Sequence, residues 1–96
     1  MEKIIERIKN GDDIPKKDLQ KIVAKIVRFF KRKGFLDVSQ NTRKDKNSDF
    51  YFCLRIQGKV TKEIFSEASK ICPATKTQVV PPDGYMRNNY YSYFCV

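Results

Sequence analysis

Apolar residues recur along the chain with two different periods, and the switches between them lay out the elements. From 15 to 33, Leu19, Ile22, Val23, Ile26, Val27 and Phe30 keep the i, i+3, i+4, i+7 spacing of one helical face without a break. Gly34 follows, where a left-handed residue closes a helix. A shorter helix is expected at 2–9, where Ile4, Ile5 and Ile8 share a face before the turn dipeptide Asn10-Gly11. Asp12 or Asp13 offers a cap for the long helix, and Pro15 suits its first turn. A third helix runs from a Thr61 cap to about Cys72, with Ile64, Phe65, Ala68, Ile71 and Cys72 as its apolar face and Pro73 as its stop.

Elsewhere the period is two. Leu36 to Ser39 alternates as a half-buried strand. From Phe50 to Ile56, residues Phe50, Phe52, Leu54 and Ile56 take one face, and Tyr51, Cys53 and Arg55 the other. The polar stretch 40–49 between these strands carries Arg43, Lys44 and Lys46, so the hairpin has a long basic tip. Residues 75–80 make a third strand, Pro81-Pro82-Asp83-Gly84 a turn, and 90–96 a terminal strand with aromatics on both faces. The predicted architecture is α+β: a short N-terminal helix, then α-β-β-α-β-β. Its four-stranded antiparallel sheet carries the helices on one face, because hairpins need only short connections. Tyr51-Phe52-Cys53-Leu54 matches Tyr93-Phe94-Cys95-Val96, which also lays the third helix on the second; 15–57 and 61–96 read as a candidate pseudo-repeat within one domain.

Charge sharpens this picture. In 96 residues, 20 Lys and Arg face 11 Asp and Glu, a net charge of +9 that selects an anionic partner. The cations of the long helix are not scattered. Lys17, Lys21, Lys25, Arg28 and Arg32 fall together opposite its apolar face, and no acid interrupts the chain from Gln20 to Leu36. Like charges at i, i+4 cost a helix a few tenths of a kcal/mol per pair, and phosphates would relieve them with release of counterions. Against this stands the plain reading of a solvated cationic face. A second candidate surface combines Arg55, Arg87, Tyr51, Tyr90, Tyr91 and Tyr93, on which unpaired bases would stack; the plain alternative is tyrosines packed under helices.

Catalytic chemistry finds little footing. The chain has no His, the commonest general base, and no phosphate-binding loop, nucleophile elbow or zinc-protease motif. Cys53, Cys72 and Cys95 are odd in number and widely spaced among apolar neighbours, which predicts three reduced thiols, no metal and no cofactor. No apolar run approaches the ~18 residues of a membrane span, and the acidic N-terminus is unlike a signal peptide, so a soluble cytoplasmic chain is expected.

The helix ending Arg32-Lys33-Gly34-Phe35-Leu36, followed by a basic-tipped hairpin, resembles the recognition helix and wing of winged-helix proteins. It departs from them in having one unbroken helix where two are needed. Small basic toxins of the RelE type are similar in size and charge, a resemblance that implies a His-free ribonuclease. The expected function is nucleic-acid binding, RNA or DNA, by phosphate contacts with little sequence readout. The rival is a virus- or phage-type interaction module docking on an acidic protein surface. Strand 90–96, taken as a sheet edge, would offer a homodimer contact.

Overall fold

The computed structural model describes residues 2–40 and 50–96. The expected order is present: α1 (Glu2–Lys9), α2 (Lys16–Arg32), β1 (Val38–Gln40), β2 (Cys53–Gln57), α3 (Lys62–Ile71), β3 (Lys76–Val80) and β4 (Tyr91–Cys95). The strands form one antiparallel sheet in the order β1-β2-β4-β3. Leu54 pairs with Phe94 and Arg55 with Tyr93 along the central β2–β4 ladder, so alternate residues point to opposite faces.

One face carries the core. Phe52, Leu54 and Ile56 of the β2 segment and Phe94 of β4 are buried against Leu19, Ile22, Val23, Ile26 and Phe30 of α2 and Phe65 and Ala68 of α3. Phe94 is the shared contact. The Phe30 ring meets it edge-on at 5.8 Å, and the Phe65 ring lies stacked at 6.4 Å. Both helices therefore rest on the same side of the sheet, as the two apolar periods require. Ser92 is the one polar residue sealed in this layer among those described, and it is satisfied: its hydroxyl accepts from the Val60 amide at 2.9 Å and donates to the Gly58 carbonyl at 2.7 Å. Gly58 is held at φ 125°, and a Cβ there would meet the Phe35 ring at 3.0 Å, so only glycine suits this corner.

Four expectations are corrected. Strand 90–96 is not an edge: β4 lies inside the sheet, bonded to β2 and β3, and the edges are β1 and β3. A homodimer through β4 has no free backbone to use. The cysteines are not all free thiols. Register places Cys53 directly opposite Cys95, and the two form a disulfide between the central strands, 42 residues apart in sequence. Cys72 alone stays free, buried among apolar residues that push its thiol up to about 11. Neither Asp12 nor Asp13 caps α2; Pro15 occupies that position with no side-chain hydrogen bond. Finally, Tyr51 does not share a face with Arg55. It precedes β2, packs against the core cluster, and donates its hydroxyl to the Asp12 carbonyl at 2.7 Å.

Candidate nucleic-acid interface

The burial of α2 decides where its charges go. With Leu19, Ile22, Val23, Ile26, Phe29 and Phe30 turned into the core, Lys17, Lys21, Lys25, Arg28, Lys31 and Arg32 stand exposed on the outer side. From Lys17 to Arg32 the stripe is about 22 Å long at 1.5 Å rise per residue. Lys25, Arg28, Lys31 and Arg32 border one shallow depression of about 600 Å³. Among the described residues, no carboxylate pairs with any of these six cations. At this helix end Lys33 does form an ion pair, reaching Glu67 of α3 at 2.8 Å, and it also lies 5.7 Å from the Phe29 ring centre. That contact holds the Glu67 carboxyl below its ordinary range, chiefly through the hydrogen bond from Lys33. Lys31, absent from the sequence-derived set, joins it because it borders the same depression as Arg28 and Arg32.

The remaining candidates are not on this face. Arg55 and Tyr91 lie on the opposite, helix-free side of the sheet, with the Arg55 guanidinium 4.2 Å from the centre of the Tyr91 ring. Their register brings Tyr93 beside Arg55, and Gln78 beside Tyr93 from β3. Gln78 could not be placed there from sequence, because the neighbour of β4 is set by long-range pairing. Arg87 sits in the β3–β4 loop, where its Nε lies 3.5 Å from Asp83. The other Asp83 oxygen accepts the backbone amides of Tyr85, Met86 and Arg87, each at 2.9 Å, and these bonds hold its carboxyl down at about 2. Tyr90 is exposed beside Lys59, whose ammonium lies 5.6 Å from the ring centre. Tyr51 is tied to the α1–α2 loop, apart from both surfaces. Arg43, Lys44 and Lys46 fall outside the described residues.

Two surfaces therefore stand on opposite sides of the sheet, the cationic face of α2 and the face of Arg55, Tyr91 and Tyr93, while Tyr51 and Arg87 belong to neither. Searches against known protein families, curated proteins and solved structures give no match. No helix among the described residues is long and apolar enough to cross a membrane, and no three of their His, Cys, Asp or Glu side chains gather where a metal ion would be held.

Proposed function

We propose that this protein binds nucleic acid, RNA or DNA, through the outer face of α2, by phosphate contacts with little sequence readout. The observation that carries the reading is the unpaired state of Lys17, Lys21, Lys25, Arg28, Lys31 and Arg32 among the described residues. Lys17 with Lys21, Lys21 with Lys25, and Arg28 with Arg32 each repel at i, i+4, a cost that no ion pair among the described residues offsets. A row of phosphates offsets it, and the released counterions drive association. At 3.4 Å of axis per phosphate, a 22 Å stripe runs beside about six phosphates of one duplex strand. The reading involves no catalytic step and no cofactor.

The test is the double variant Lys25→Glu/Arg28→Glu. It should weaken binding to every duplex and single strand alike. It should also flatten the dependence of log K on log salt by about 0.9 per lost contact on duplex DNA and about 0.7 on single strands. An unchanged affinity overturns the proposal. The rival reading, docking on an acidic protein surface as a virus- or phage-type inhibitor, draws on the same cations and adds the fully exposed Tyr85 and Met86 of the Asp83-braced loop. Under it the wild type shows only feeble, non-saturating binding to nucleic acid at ~150 mM salt, where charges beyond about 8 Å are screened.

A further inference from the structure

We infer that the helix-free face of the sheet is a second site, which takes unpaired bases of a single strand by stacking on Tyr93 and on the Arg55–Tyr91 pair. The inference rests on the chain being a nucleic-acid binder, but on none of the residues of α2.

The face is built by register. Arg55 and Gln57 of β2 stand opposite Tyr93 and Tyr91 of β4, which in turn face Gln78 and Val80 of β3, with Lys76 one step further along β3 opposite Cys95. Directly paired side chains in such ladders are about 5 Å apart, so these side chains form one continuous surface. Tyr91 and Tyr93 are half-buried, and Arg55, Lys76 and Gln78 are exposed. Both helices lie on the other side of the sheet. The strands give this surface no large aliphatic side chain beyond Val80, so it offers little to an apolar helix. What it presents is two rings flanked by a guanidinium, two amides and an ammonium.

That combination fits a splayed nucleotide. Planar bases stack on tyrosine rings and on the flat face of an Arg guanidinium, and side-chain amides meet base edges. The Arg55 guanidinium already lies over Tyr91 at 4.2 Å, so a base added on its outer side extends an existing stack. Arg55 and Lys76 supply the positive charge that a strand's phosphates require. A depression of about 100 Å³ beside the stack, bordered by Asp37, Ser39, Arg55, Gln57 and Tyr91, is too small for a whole nucleotide. It admits the edge of a base, and the Asp37 carboxylate would accept from an exocyclic amino group, as carboxylates do from cytosine. Duplex bases cannot reach this surface, since they are stacked on one another. The Cys53–Cys95 bond joins β2 and β4 two residues from Tyr93 and fixes the columns in register.

The experiment compares a short oligocytidylate with an abasic strand of equal length, by fluorescence anisotropy at ~150 mM salt without reductant. Wild-type protein should bind the base-bearing strand roughly fivefold or more tightly, the low end of what one stacked base contributes. Tyr91→Leu/Tyr93→Leu should bring the ratio close to one by weakening the base-bearing strand, and Tyr91→Phe/Tyr93→Phe should keep it. Lys25→Glu/Arg28→Glu should lower both affinities and leave the ratio intact. Equal affinity of the wild type for the two strands overturns the inference without using any variant, and so does a ratio that survives Tyr91→Leu/Tyr93→Leu. In either case, salt-dependent binding of both strands leaves the α2 reading standing. If neither strand binds, both readings fail.

Discussion

Helices α2 and α3 do the same structural work and present different surfaces. Both are amphipathic, both lie on one side of the sheet, and both send a phenylalanine onto Phe94. Yet α3 carries two lysines and two glutamates, whereas α2 carries seven cations and a single carboxylate. The caps differ as well: the Thr61 hydroxyl accepts from the Ile64 amide at 3.3 Å, while α2 starts at Pro15 without side-chain help. Packing therefore does not require the charge of α2, because α3 packs as well without it. The excess is a property of the surface, and no ion pair among the described residues offsets its repulsion.

The strongest way to break this comparison is through the shared ring. Phe94→Ala should cost about 3–5 kcal/mol by the usual scale for large core truncations, since it removes the contact of both helices at once. A urea titration followed at the helical signal should then show α2 and α3 lost in one transition. Two separated transitions would mean that the helices are independent.

Next in size is the Cys53–Cys95 bond. Closing a loop of 42 residues, it should contribute about 2–4 kcal/mol. Dithiothreitol should lower the melting temperature of the wild type and leave that of a Cys53→Ser/Cys95→Ser variant unmoved. Equal melting with and without reductant would show the bond to be unimportant to stability.

The difference between what sequence reveals and what it hides follows the same division. The face of α2 was legible because helical periodicity is local: Leu19, Ile22, Val23, Ile26 and Phe30 are all buried where the spacing puts them. The outward cations follow from the same geometry. Strand order is not local. Nothing in Tyr91–Cys95 itself says that β3 covers its second edge, so β4 read as an edge strand, and the Cys53–Cys95 pairing stayed hidden with it. Tyr51 misled because strict alternation was extended across the start of β2, where Tyr51 and Phe52 both bond to Val96 and two residues facing one partner break the period of two. Of the two candidate surfaces, the helical one was legible residue by residue, whereas on the sheet Arg55, Tyr91 and Tyr93 could be named but their neighbours awaited the register.

Smaller effects sharpen the contrast. Thr61→Ala should destabilise by about 1 kcal/mol, the usual value of a lost N-cap, whereas Pro15 leaves α2 no such cap to lose. Urea midpoints of the two proteins measure it, and no change would remove the capping difference. Smallest of all is the brace of the β3–β4 loop. Asp83 titrates at about 2, below the ordinary carboxylate range, so its bonds to the Tyr85, Met86 and Arg87 amides are complete at neutral pH. They are lost only as pH falls through that value. Carbon-13 NMR of the Asp83 carboxyl should give this low midpoint; one near 4 would show an unbraced loop.

Position against total charge is the most direct test of the central claim. Lys25→Glu/Arg28→Glu on α2 and Lys62→Glu/Lys70→Glu on α3 each reverse two exposed cations, which takes the same four units from the +9 of the chain. Duplex binding measured across a salt series should drop steeply for the α2 pair, with a flatter salt slope, and stay close to wild type for the α3 pair, while both variants stay folded and the α2 variant melts no lower than the wild type. Equal losses for the two pairs would mean that only net charge matters, and α2 would then be an ordinary solvated helix.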